Sequence, residues 1–273
     1  MFSSAVVLVV QEVLEAALVL SLLLSLIHAI NKNSELDSKI RRTWVFFGIL
    51  LGLVFAWIYS RKLTEISSAF DFAGIELVNA AIHFFSCIFL LIISWSFPLS
   101  AANKLTSFRS GRRNWLVFSM LSVVALAITR EGSEIFQLGG ALMMQSESGL
   151  AFTAGGLVGG GIGISTGLLL YFGITSLRID RSLLVCILLL SLTAGNMAAQ
   201  ALVLLNQADW LPITPVAWDS DALLSEASIM GQLAFALIGY ESRPSWLHVI
   251  FYGVGMAGVF MSPIARKAVL QKL

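Results

Sequence analysis

Five glutamates lie inside long apolar runs, where an ionisable side chain is costly. Glu12 and Glu15, then Glu76, then Glu131 and Glu134 are so placed, and Arg130 stands beside the last pair. At the centre of a membrane helix such a group costs at least roughly 2.5–3.5 kcal/mol on insertion scales, so these residues usually carry function and face the bundle interior. Pairing with Arg130, or protonation, could make them mere glue between helices. One arginine cannot neutralise four or five carboxylates, which weighs against that reading. Glu12 and Glu15 are three apart, as are Glu131 and Glu134, so each pair projects from one helical face. Clustered carboxylates supply hard oxygen donors, which suit iron, manganese or magnesium better than soft metals.

The elements that must hold these residues are membrane helices. Of 273 residues, 58% are apolar and 12% charged, about half the charge of a soluble domain. A bilayer core of about 30 Å needs roughly 20 mostly apolar helical residues. Seven spans meet this: 3–30, 44–59, 73–97, 115–142, 151–172, 183–205 and 246–261. The first is no signal peptide, since residues 1–4 hold no Lys or Arg and the apolar run is too long. With the N-terminus outside, the inner segments hold thirteen Lys and Arg residues and the outer ones only Arg61, Lys62 and Arg243. By the positive-inside rule this predicts an outside N-terminus and a cytoplasmic C-terminus.

Depth brings the two pairs together. Each lies roughly 15–20 Å below the outer surface at 1.5 Å per residue, near the midplane, on antiparallel helices. Spans 1–3 and 4–6 form two three-helix units, each opening with an E-x-x-E helix. An odd number of spans inverts the second unit relative to the first, as in many transporters. The expected fold class is an all-α integral membrane protein with two inverted three-helix repeats plus a seventh helix. The whole of 1–273 reads as a single membrane domain, with repeat 1 at about 1–100, repeat 2 at about 112–206, and an outer loop with the seventh helix at about 207–273.

At Arg130-Glu131-Gly132-Ser133-Glu134 the chain resembles the oxidase-coupled high-affinity iron permeases, a family with yeast-type members and bacterial EfeU-type ones. Its mark is an R-E-x-x-E motif in the first and in the fourth helix, whose carboxylates bind iron during transport. The second motif matches in full. The first reads Gln11-Glu12-Val13-Leu14-Glu15, with glutamine in place of arginine. Further likeness runs through the glycine-rich fifth span around 155–167, Ala194-Gly195, Trp210-Leu211-Pro212, Trp218-Asp219-Ser220, Gly231-Gln232-Leu233, Gly239-Tyr240 and Arg243-Pro244-Ser245, so it covers essentially the whole chain.

The resemblance implies iron permeation, with iron as transported substrate and no cofactor. It also implies an extracytoplasmic iron-handling or oxidase partner and a bacterial inner-membrane location. The metal ligands it points to are Glu12, Glu15, Glu131 and Glu134, with Arg130 and Gln11 in support. Glutamine at position 11 leaves the four carboxylates with one fixed cation, a formal charge of −3. Proton and metal then compete for the site, and uptake falls as pH drops. A transporter of another cation, such as lead or manganese, using the same carboxylates is the alternative.

Other features are less specific. Glu76 lies only about 5 Å deep by the helical rise, which reads as a ligand at the entrance. The 206–245 segment holds Asp209, Asp219, Asp221, Glu226 and Glu241 against Arg243. It is either a cation-attracting entrance or an ordinary solvated loop, with Asp219 or Ser220 capping a helix over 222–237. His28, His83 and His248 read as structural, and Cys87 and Cys186 as buried hydrophobes. Trp210, Trp218 and Trp246 suit an interfacial aromatic belt. Every aspartate falls in a loop or at a boundary, and no H-E-x-x-H motif occurs, so an intramembrane enzyme is not expected. Nor is a nucleic-acid partner.

Overall fold

The computed structural model describes residues 2–33, 39–96, 110–143 and 149–270. Among them the regular elements are helices: α1 Phe2–Asn33, α2 Thr43–Arg61, α3 Leu63–Ser67, α4 Gly74–Ser96, α5 Ser110–Met143, α6 Gly149–Ser176, α7 Ile179–Gln207, α8 Ile229–Ile238 and α9 Trp246–Leu270. All but α3 and α8 are long and apolar enough to cross a membrane, which gives the seven expected spans. Several helices outrun their expected bounds, because intrahelical hydrogen bonding continues past the apolar stretch into polar flanks. Phe97, Lys104, Arg109, Met144 and Lys272 lie outside the described residues.

Small residues decide which helices meet. In lipid there is no hydrophobic drive between helices, so association relies on close packing at small side chains. Gly155, Gly159, Gly163 and Gly167 recur every fourth residue along the buried side of α6. That side lies on α1: a Cβ at Gly159 would come within 2.7 Å of the Val6 carbonyl oxygen, and one at Gly163 within 2.8 Å of the Val13 side chain. Gly48, Gly52 and Ala56 do the same for α2 against α5, where a Cβ at Gly52 would meet Ile128 at 2.7 Å. The two glutamate-bearing helices are thus each clamped to a glycine-striped partner. α7 packs on α9 through Gly195 and Gly255, and Ser94 of α4 donates to the Val259 carbonyl of α9 at 2.6 Å.

The core fills the C-terminal half of α1. Leu22, Leu23, Leu26 and Ile27 are fully buried there, against Leu116, Met120 and Val123 of α5, Leu90 and Ile93 of α4 and Leu190 of α7. This apolar plug lies directly beyond the carboxylates. α1 is the most buried span and α6 the least.

Two details depart from the expected pattern. A helix over 222–237 capped by Asp219 or Ser220 does not form; α8 begins at Ile229, and the Ser228 hydroxyl caps it by accepting the Gly231 N–H at 3.0 Å. Asp219 and Ser220 are taken by the loop itself. Asp219 accepts the Asp221 N–H at 3.0 Å, and the Ser220 N–H donates to the Ser242 carbonyl at 2.9 Å. α8 ends at Gly239 (φ 67°), where a Cβ would also strike Asn196 of α7 at 2.6 Å. Second, Gly163-Ile164-Ser165-Thr166-Gly167 spells a G-x-S-x-G pattern, contrary to the expectation that no such motif occurs. It lies inside continuous helix with Ser165 exposed on the outer face, not on the sharp strand-to-helix turn that a nucleophile needs.

Candidate metal centre

α1 and α5, each clamped to its own glycine-striped partner, also pack on one another, and the two glutamate pairs meet at that contact. By the helical rise, Glu12 and Glu15 lie about 15 and 20 Å from the start of α1, and Glu131 and Glu134 about 18 and 14 Å from the end of α5. One carboxylate oxygen each from Glu12, Glu131 and Glu134 lies within 4.8 Å of the other two. Glu12 and Glu131 are buried, and Oε2 of Glu131 has no hydrogen-bond partner. A buried carboxylate oxygen without a donor is an open coordination position for a cation.

Glu15 stands differently. Arg130 Nη1 donates to it across the helix interface at 3.2 Å and to Glu131 Oε1 at 2.7 Å. The other guanidinium nitrogen, Nη2, is 3.5 Å from Glu134 Oε1. Removing one partner of such a buried pair leaves a charge uncompensated, which is strongly destabilising. Of the four glutamates expected to form one site, Glu12, Glu131 and Glu134 converge, while Arg130 pairs with Glu131, Glu15 and Glu134.

Further polar residues of α2 and α4 stand around this centre. His83 of α4 is buried and within electrostatic reach of Arg130. The Tyr59 hydroxyl of α2 donates to Asn79 Oδ1 of α4 at 3.2 Å and lies within electrostatic reach of both Glu134 and Glu76. Glu76 itself has a buried Oε2 without a hydrogen-bond partner. The spacing of Glu76, Asn79 and His83 along one face of α4 was the available signal. Gln11 is partly buried one residue before Glu12.

The acidic outer segment is largely committed to its own fold. Asp219 pairs with Arg243 at 2.9 Å, and the Asp221 N–H together with Arg243 holds its carboxyl below the usual range. Glu226 accepts the Ser242 N–H. Glu241 Oε2 lies 2.8 Å from His248 Nδ1, which stacks on Tyr252. These contacts favour the structural reading over a charged funnel. His28 meets Tyr171 edge-on, and both cysteines are buried and free. Trp210, Trp218 and Trp246 are exposed, as an interfacial belt requires.

Comparison with known proteins accords with this geometry. A family model described as the Iron permease FTR1 family matches residues 1–265. A ferrous iron permease EfeU of Yersinia pseudotuberculosis is 26% identical over 265 residues, covering 92% of this chain and 89% of the relative. The EfeU of Yersinia pestis is 25% identical over 253 residues, covering 89% and 86%. That of Escherichia coli strain UTI89 is 26% identical over 243 residues, covering 86% and 85%. No solved structure matches the chain.

Proposed function

This chain belongs to the Iron permease FTR1 family, and we propose that it imports iron through a site of glutamates held between α1 and α5. One observation carries the reading: Glu12, Glu131 and Glu134 converge within 4.8 Å inside a seven-span bundle, with Arg130 as their counter-ion. Glu15 completes the set once Arg130 releases it. The two units α1–α4 and α5–α7 are read as inverted repeats, a reading supported by α1 lying on α6 as α5 lies on α2. The alternative cargo, another metal cation such as lead or manganese on the same carboxylates, draws on the glutamine at position 11, which alters the site charge.

The test is radiolabelled iron uptake by cells with and without the protein, against competing manganese, lead and zinc. Expression should raise iron uptake, with iron itself the best competitor. Unchanged iron uptake beside raised manganese or lead uptake would transfer the site to that metal.

Orientation follows the basic residues, with the N-terminus outside and the C-terminus in the cytoplasm. A reporter fused after Leu273 should be active only as a cytoplasmic fusion; activity only outside reverses the orientation. An extracytoplasmic iron-handling or oxidase partner would then approach from the side of the 208–245 segment.

Glu76 is read as a ligand at the entrance, ahead of the main site. Glu76→Gln is expected to raise the KM for iron about tenfold with turnover little changed, the low end of the about 10–100-fold cost of losing an outer-shell partner. An unchanged KM removes Glu76 from the path.

A further inference from the structure

The four carboxylates form two layers, and the single arginine lies closer to one of them than to the other. α1 and α5 are antiparallel, so Glu12 and Glu134 lie toward the N-terminal end of α1, and Glu15 and Glu131 one turn farther along it. Arg130 binds the second layer closely, at 3.2 Å to Glu15 and 2.7 Å to Glu131. Its approach to Glu134 is longer, 3.5 Å. Glu134 is the most exposed member, its side chain 39% accessible, while Glu12 and Glu131 are buried and the Glu15 side chain is 13% exposed. Beyond the second layer the bundle closes on Leu18, Leu22 and Leu26 of α1 and Val123 and Met120 of α5.

We propose that Arg130 is a tethered cation locking the inner carboxylate layer, and that Gln11 leaves the outer layer, Glu12 and Glu134, unlocked for metal capture. The argument rests on the matched spacing of the two motifs. Arg130 reaches the first glutamate of its own motif and the second of the opposite one. A cation at position 11, placed identically on α1, would reach Glu12 and Glu134 and close the outer layer. Glutamine is neutral and cannot. The site therefore stands open toward the α1 N-terminus, the outer side under the proposed orientation. An arriving cation meets Glu134 first, then Glu12 and Glu131, and advances to Glu15 only by displacing the guanidinium. Arg130 and Gln11 are positioning residues: they act by setting which carboxylates are free.

The inference rests on the transport reading, and the test separates the two. Purified protein in liposomes with a trapped iron-sensing fluorophore is given external ferrous iron, and KM and kcat are measured. Gln11→Arg should raise KM at least about tenfold, with kcat within about twofold. The exchange variant Gln11→Arg/Arg130→Gln keeps the net charge of the site and moves the cation outward, so KM should remain raised. Wild-type kinetics in the exchange variant overturn the proposal, because net charge and not placement then governs the site. An unchanged KM in Gln11→Arg also overturns it. If the wild type carries no iron, the transport reading fails, and Mn2+ binding to the detergent-purified protein, read by electron paramagnetic resonance, decides the lock. There Gln11→Arg weakens binding at least about tenfold if the proposal holds, and equal affinity refutes it.

Discussion

Glu131→Gln is expected to lower iron uptake by more than about a hundredfold in protein that still folds. Removal of even an outer-shell partner of a metal ligand costs about 10–100-fold, and Glu131 is at once a convergent ligand and the closest partner of Arg130. Glutamine keeps the shape of the side chain, so the loss reports charge and donor strength and not packing. Glu131→Asp should also impair uptake. It withdraws the carboxylate by about 1.5 Å, well beyond the roughly ±0.2 Å tolerance of a metal bond. Glu12 and Glu134 should behave alike. Glu15→Gln should stop transport yet weaken equilibrium metal binding less than the other three, because its carboxylate lies outside the convergent group of Glu12, Glu131 and Glu134. The check is uptake beside binding for all four variants; equal binding losses at all four positions would make Glu15 a resting ligand.

The second large effect falls on α6. Gly159→Val should sharply reduce the yield and thermal stability of folded protein, while Gly160→Val, one residue away, should leave both nearly unchanged. A Cβ at Gly159 meets the Val6 carbonyl oxygen at 2.7 Å and the Val10 nitrogen at 3.1 Å, whereas one at Gly160 meets nothing within 4 Å. The atoms struck belong to backbone, which cannot rotate away, so α1 and α6 must separate. Overpacking a close contact costs about 1–3 kcal/mol and sometimes more. Because α1 carries Glu12 and Glu15, any surviving Gly159→Val protein should also lose metal affinity. Fluorescence-detected size exclusion after heating, followed by uptake, measures both. Equal stability of the two variants would mean that α6 does not hold α1 by close approach.

How much of this was legible in the sequence depends on the kind of interaction. The spans were, because apolar length is a local property and lipid admits few alternatives to a helix. Helical rise gives the expected depth of the two glutamate motifs, but not which helices are neighbours. The convergence of Glu12, Glu131 and Glu134 without Glu15 was not legible, because it depends on how the side chains meet across the α1–α5 interface. Gly155–Gly167 showed as a glycine-rich run, but the matching service of Gly48 and Gly52 to α5 needed the three-dimensional pairing. The start of α8 was misplaced for a similar reason. Asp219 and Ser220 have the right chemistry to cap a helix, yet the Asp221 N–H, Arg243 and the Ser242 carbonyl engage them first, and the cap passes to Ser228.

The most direct test of the carboxylate centre is to locate the metal. Crystals of the protein grown with iron, measured on both sides of the iron absorption edge, should give an anomalous peak between α1 and α5, bounded by the carboxylates of Glu12, Glu131 and Glu134. The peak should vanish in Glu131→Gln crystals grown in the same way. Iron found only elsewhere, for instance beside Glu241 and His248, or a peak that persists in Glu131→Gln, would contradict the assignment of the site.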